Sequence, residues 1–209
     1  MSYSIAKIVE KKLLTEDIMK MTFETKICNF TAPGQYAEIR VKGSDLDGIY
    51  SMSEYDSERF TVVYLIRDEA SKELALHELG DEVEVETGLG NGYAVDEVKD
   101  GAVLVADTMG IPQMLSLVRA LLVQGKDCRL ILGFQSKDKM FMVDTFRNIC
   151  NNIEIWTADG SNGREGRADE GLRTAEYVCA SGSIEMLDRL SGKADAGQFN
   201  VDGTNVVKF

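Results

Sequence analysis

The spacing of apolar residues changes once along this chain, and that change limits it to two different kinds of layer. From Ser4 to about Glu86 the pattern is short and alternating. Tyr3 to Lys11, Ile18 to Glu24, Tyr36 to Val41, Phe60 to Ile66 and Glu82 to Glu86 each read as strands, several of them β-branched. Turn chemistry at Ala32-Pro33-Gly34-Gln35 and at Gly80-Asp81 separates them, and a short helix fits within Ala70 to Leu79. After about Asp100 strands alternate with helices. Strands at Ala102–Ala106, Cys128–Phe134, Ile153–Ala158 and Tyr177–Ala180 are interleaved with helical spacing over Pro112–Gln124, Val143–Asn151, Asp169–Thr174 and Ser183–Leu190. The first rhythm predicts an antiparallel β-barrel and the second a doubly wound parallel α/β sheet.

Charge and cysteine usage exclude several functions. The formal net charge of −12 repels polyanions, so neither nucleic acid nor an anionic membrane is an expected partner. No apolar run approaches the roughly 20 residues of a membrane span, and the N-terminus opens on strand-like sequence without a basic-then-apolar leader, which gives a cytoplasmic expectation. The single histidine, His77, rules out a multi-histidine metal site, and no metal is expected. Cys28, Cys128, Cys150 and Cys179 are scattered in mostly apolar contexts and read as reduced, buried thiols. Asp159-Gly160-Ser161-Asn162-Gly163 lacks the spaced acids of a calcium loop and reads as a turn.

Four motifs narrow the choice further: Ala32-Pro33-Gly34-Gln35-Tyr36, Gly88-Leu89-Gly90-Asn91-Gly92-Tyr93, Ile131-Leu132-Gly133-Phe134-Gln135-Ser136-Lys137-Asp138, and Ala158 to Gly163. In order and spacing they resemble segments of the electron-transfer subunits of the two-subunit dihydroorotate dehydrogenases, within the ferredoxin reductase superfamily. The resemblance covers nearly the whole chain. It implies an FAD-binding-type barrel over residues 1–98, an NAD-binding-type α/β domain over 99–192, and a tail over 193–209 in place of the family's iron–sulfur region.

The resemblance also implies a flavin, FAD, with FMN not distinguished from it. The family's Arg-x-x-Ser segment maps onto Gly48-Ile49-Tyr50-Ser51-Met52, so Tyr50 would offer an aromatic face, Ser51 a hydroxyl, and Met52 backbone contact. The arginine that would pair with phosphate is replaced by Gly48. A second segment maps onto Val63-Tyr64-Leu65 and Ala70-Ser71, with Ser71 the expected phosphate donor at a helix N-terminus and Arg67 a substitute phosphate partner. The family's glycine-rich NAD turn reads Val105-Ala106-Asp107-Thr108-Met109-Gly110-Ile111-Pro112 and keeps only Gly110, with Asp107 placing negative charge where a phosphate should lie. The later nicotinamide motif survives as Gly182 and Met186 within Ser181 to Met186. NAD(P)H oxidation is therefore the less favoured expectation.

No cysteine follows Ser181, so the four thiolates of a 2Fe–2S cluster are missing from this sequence. The favoured function is a flavin-dependent oxidoreductase or electron-transfer subunit without that cluster, partnered by a dihydroorotate dehydrogenase-like catalytic subunit in pyrimidine biosynthesis. The alternative is a non-catalytic accessory subunit, or a nucleotide- or metabolite-binding module reusing the cofactor cleft. No catalytic residue is assigned, and a homo-oligomer stays open.

Overall fold

The alternating segment forms a barrel because one face of each strand is apolar and has only the other strands to bury against. The strands are β1 (Ser4–Leu13), β2 (Ile18–Thr25), β3 (Tyr36–Val41), β4 (Asp47–Tyr55), β5 (Arg59–Leu65) and β6 (Glu82–Leu89), with helix α1 (Glu69–Leu76) between the last two. They pair antiparallel in the closed order β1-β2-β5-β4-β3-β6. Met19, Met21 and Phe23 of β2, Ile39 and Val41 of β3, Tyr50 and Met52 of β4, Phe60, Val62 and Tyr64 of β5, and Val83 and Val85 of β6 fill the interior. The acidic run on β6 follows the same period: Val83 and Val85 are buried, and Glu82, Glu84 and Glu86 take the alternate positions. Breaks in register occur between Ile8 and Glu10, Tyr36 and Glu38, and Met52 and Glu54, where bulges add the bend that closure requires.

The second rhythm gives β7 (Ala102–Asp107), α2 (Ile111–Val123), β8 (Cys128–Phe134), α3 (Val143–Arg147), β9 (Ile153–Thr157), β10 (Arg164–Glu165), β11 (Tyr177–Ser181), α4 (Ile184–Asp195) and β12 (Asn200–Val201). All pairings are parallel, in the order β10-β9-β8-β7-β11-β12. Strands buried on both faces need continuous apolar runs, and Ala102–Ala106 and Leu130–Leu132 supply them. Met186, Leu187 and Leu190 of α4 cluster with Val103, Val105, Val178 and Ala180 on one face, while α2 packs on β7, β8 and β11. The one charged residue in β8, Arg129, is tied to Glu154 at 2.6 Å and to the Gly171 carbonyl at 3.2 Å.

The computed structural model describes residues 3–173, 177–195 and 200–201. The chain divides into two compact units, Met1–Gly92 and Tyr93–Phe209. The barrel followed by a parallel sheet is the expected fold class. Four local expectations are corrected. Strand β4 was not marked as a strand, because Asp47, Gly48, Ser51, Ser53 and Glu54 carry little β propensity and the ladder to β3 and β5 supplies what the sequence lacks. The helix expected over 143–151 ends at Arg147, where Asn148, Asn151 and Asn152 favour turns. The helix expected at 169–174 is a single 3₁₀ turn, Ala168–Gly171. Helix α4 runs past Leu190 to Asp195. Of the expected tail 193–209, only the end of α4 and Asn200–Val201 fall among the described residues.

The barrel interior is organised around Phe60, which stacks on Phe23 at 5.1 Å between ring centroids and meets Phe30 at 5.5 Å. Phe60→Ala is expected to cost about 3–5 kcal/mol, read as a lower urea midpoint with an unchanged denaturant slope.

Candidate functional site

The alternation of β4 decides what the flavin-type segment can present. Tyr50 and Met52 point into the barrel, and Ser51 and Ser53 take the outer face. Tyr50 was expected to offer a flat ring. Instead it is 6% exposed and meets the Tyr64 ring edge-on, 5.0 Å between centroids at 63°. Tyr64 in turn donates to Met21 Sδ at 3.5 Å. Burial pushes both phenols above their ordinary range, so they are neutral core groups. The Tyr50 ring also lies over Gly48, where an added Cβ would fall 2.3 Å from the phenol oxygen. Any side chain at position 48 would require the Tyr50 ring to shift. Val63 and Leu65 share the outer face of β5 with Thr61, and Thr61 and Val63 are buried. Ser53 Oγ donates to the Thr61 carbonyl at 3.2 Å.

The helix expected to offer Ser71 to a phosphate is instead closed on itself. Asp68 is its N-cap, and its carboxylate accepts from Ser71 N–H at 2.8 Å. Ser71 Oγ accepts from Arg67 N–H at 3.0 Å and Asp68 N–H at 3.1 Å. This reciprocal capping box satisfies the Ser71 and Asp68 N–H groups, and Ser71 is only 2% exposed. Ser71 is thus the third helical residue and not the cap, Ala70 is half-buried beside it, and Arg67 faces Asp68 at 3.7 Å. The Ser71 bonds hold the Asp68 carboxyl below the usual carboxylate range. The sequence signal for this arrangement was Asp-x-x-Ser ahead of an apolar helix face.

The Gly88–Tyr93 segment owes its shape to Gln35, a residue noted only as part of a motif. The Gln35 side-chain carbonyl accepts from Thr31 N–H at 2.7 Å and Ala32 N–H at 3.0 Å, while its amide donates to the carbonyls of Gly88 and Gly90 at 3.1 and 3.0 Å. Gly88 and Gly92 adopt φ of +76° and +71° against this loop, where a Cβ would strike the Asn29 carbonyl at 2.3 Å and Ala32 Cβ at 2.5 Å. In the second unit, Tyr93 donates to the Ala180 carbonyl at 3.0 Å.

In an open α/β sheet, ligands enter outside the carboxyl ends of the strands where the chain direction of winding reverses. Here that point lies between β7 and β11, because β8 flanks β7 on one side and β11 on the other. Asp107 ends β7, and its carboxylate accepts from Ser183 N–H at 2.6 Å and Ser183 Oγ at 2.7 Å, at the start of α4. Gly110 packs so closely on the other strand end that a Cβ there would lie 2.1 Å from the Ser181 carbonyl oxygen. Gly182 touches the same carboxylate, since a Cβ there would be 2.0 Å from Asp107 Oδ1. Thr108 next door has φ of +46°, an uncommon value for a β-branched residue. The structure therefore brings Gly110 and Gly182 together around Asp107, and Tyr50 and Tyr64 together in the barrel core.

Elsewhere, Asp159 binds Ser161 N–H at 3.0 Å and makes a turn. Among the described residues no three acidic, histidine or cysteine side chains converge as a metal site. No two of the four cysteines are joined in a disulfide; Cys128, Cys150 and Cys179 are buried and Cys28 is half-buried. Asp169, 1% exposed, receives both Arg189 nitrogens at 2.8 and 3.0 Å, fixing the 3₁₀ turn to α4. Among the described residues no helix is long and apolar enough to cross a membrane.

Against the FAD expected from the sequence, the two halves of the region differ. The outer strand face carries the hydroxyls of Ser51, Ser53 and Thr61, of which Ser53 Oγ is bonded to the Thr61 carbonyl at 3.2 Å and Thr61 Oγ1 to Thr22 Oγ1 at 2.9 Å. The phosphate half does not fit: a cation at position 48 would require the Tyr50 ring to shift, and the α1 N-terminus already holds a carboxylate.

Two outcomes follow from these geometries. Gln35→Ala removes four bonds to backbone groups from a residue 5% exposed, and is expected to destabilise the protein by about 2–4 kcal/mol in chemical denaturation. Asp68→Ala is expected to cost about 1 kcal/mol at neutral pH. Because the folded-state pKa of Asp68 is lowered, the cap stabilises above the unfolded carboxyl value and is lost as pH falls through the folded value. Melting curves of the parent and the variant should therefore converge as the pH falls through the folded-state value, which lies below the ordinary carboxylate range.

No protein-family model matches the chain. A curated protein of Lysinibacillus sphaericus (strain C3-41) named dihydroorotate dehydrogenase B (NAD(+)), electron transfer subunit is 28% identical over 200 residues, covering 89% of this chain and 76% of the relative. A Bacillus cereus protein of the same name is 28% identical over 202 residues with the same coverage. Among solved structures, an NADH-dependent reduced ferredoxin-NADP oxidoreductase superposes with a TM-score of 0.83 at 24% identity, over 95% of this chain and 74% of that one. Phthalate dioxygenase reductase superposes at 0.78 with 19% identity, over 97% and 68%. With barrel and parallel sheet in the same order as in these solved structures, the chain has a ferredoxin-reductase-type fold and is similar in sequence to proteins named dihydroorotate dehydrogenase B electron transfer subunits.

Proposed function

We propose that this chain is an electron-transfer-type subunit of an oxidoreductase, acting beside a dihydroorotate dehydrogenase-like catalytic subunit in pyrimidine biosynthesis. The observation that carries the reading is the similarity to proteins named as such subunits, which runs through both units over 89% of the chain. A flavin is the cofactor this reading calls for. Its ring edge would meet Ser51, Met52 and Val63 backbone and hydroxyl groups on the β4–β5 face, while Tyr50 and Tyr64 support that face from within the barrel. The chain's own contribution is orientation and hydrogen bonding; the redox chemistry would be the flavin's.

In this reading the subunit carries no 2Fe–2S cluster. Four close thiolates are required, whereas no two of the four cysteines in this chain lie closer than 22 residues in sequence. A second reading, a non-catalytic accessory subunit that keeps the docking surface, is favoured by one observation: carboxylates stand at both turns where a nucleotide phosphate would be expected.

Two measurements decide between them. The purified protein mixed with flavin and desalted should retain flavin absorption bands, and on size exclusion it should co-elute with a dihydroorotate dehydrogenase-type catalytic subunit. A colourless protein that still co-elutes supports the accessory subunit. Absence of co-elution removes both readings.

A further inference from the structure

We propose that Asp107 and Asp68 are specificity residues that bar pyrophosphate, so that neither NAD(P)H nor the dinucleotide arm of FAD is held by this chain. The inference deepens the electron-transfer reading, because it restricts any bound flavin to contact through its ring and ribityl end.

The argument is strongest at Asp107. A pyrophosphate at the sheet's reversal point needs a glycine-lined turn with room for two phosphates and free N–H donors. Here the turn contributes its own anion. Asp107 takes the N–H and hydroxyl of Ser183, the residue that precedes α4, at 2.6 and 2.7 Å, and Ser183 Oγ in turn accepts from Met186 N–H at 3.3 Å in the first turn of that helix. Gly110 abuts the Ser181 carbonyl and the carboxylate rests on Gly182, so the ends of β7 and β11 are in direct contact through backbone and carboxylate. An incoming phosphate would meet a like charge already seated at this strand end.

The barrel unit repeats the arrangement with different residues. Asp68 holds the Ser71 N–H at 2.8 Å, and the Ser71 hydroxyl is committed to Arg67 and Asp68 N–H groups. Arg67, the nearest cation, is turned to Asp68 at 3.7 Å. The position from which an arginine would reach a phosphate is Gly48, covered by the Tyr50 ring. Two turns of unrelated sequence thus carry an internal carboxylate at a helix N-terminus, where an external phosphate is otherwise welcomed.

Substituting the acids by their amides tests this directly, since Asn keeps a side-chain carbonyl to accept from Ser183 or Ser71 but carries no charge. The full chain, Asp107→Asn and Asp68→Asn would each be titrated with NADH, FAD, inorganic pyrophosphate and riboflavin, following binding by calorimetry and folding by circular dichroism. The parent is expected to show no saturable binding of NADH or pyrophosphate, and FAD no tighter than riboflavin. Asp107→Asn should gain NADH and pyrophosphate affinity by at least about tenfold, and Asp68→Asn should gain FAD over riboflavin by a similar factor. Tight NADH binding by the parent that pyrophosphate competes away overturns the proposal, and so do folded amide variants with no gain. Riboflavin reports separately: if it fails to bind any of the three proteins, the flavin reading falls while the pyrophosphate comparison still decides the role of the two acids.

Discussion

Barrel closure is the constraint from which the first unit follows. Strand β6 must pair on one side with β1 and on the other with β3, so its register is fixed from both edges and no strand edge is left open. Its carboxyl end therefore leaves the barrel at a fixed place, beside the loop before β3. The carbonyls of Gly88 and Gly90 lose their ladder partners there, and the Gln35 amide replaces them. The same side chain satisfies Thr31 and Ala32 N–H groups, so one amide stabilises both the entry to β3 and the exit of β6. A shorter or charged side chain cannot both accept and donate in this way.

Much of this architecture was legible because burial imposes a period. The two-residue alternation of β2, β3 and β6 and the unbroken buried runs of β5, β7 and β8 are direct consequences of one-sided and two-sided burial. Strand β4 was hidden for the opposite reason. Its serines are buried on the outer face and its glycine is required under the Tyr50 ring, so the residues record specific neighbours and not a strand preference. The short helix α3 and the 3₁₀ turn at Ala168 were overestimated because periodicity continues through asparagines and glycines that the backbone does not follow.

The site was legible in its charges and not in its partners. Asp107 could be recognised as out of place in a nucleotide turn, but the group it binds, Ser183, lies 76 residues away in sequence. Ser71 drew attention as a helix-start residue, while the actual cap was the acid three positions earlier. Tyr50 was assigned a surface role because its residue type suits stacking. Strand parity alone, counted from Met52 and the Val62 pairing, places it inside.

These corrections share a physical cause. A helix N-terminus exposes donors that must be satisfied, and a fold that hosts nucleotides leaves them to the ligand. In this chain Asp68 takes the Ser71 N–H of α1, and at α4 the Met186 N–H is taken by the Ser183 hydroxyl that Asp107 holds. Internal satisfaction stabilises the free protein, since no ligand is needed to complete the turns, and it lowers what an incoming phosphate can gain, since it must replace bonds already made. The ferredoxin-reductase-type framework tolerates the exchange because the strands and the Gln35 clamp do not depend on either turn. The fold and the phosphate chemistry are separable in this architecture, and here the first is kept while the donors that serve the second are occupied by the chain's own carboxylates.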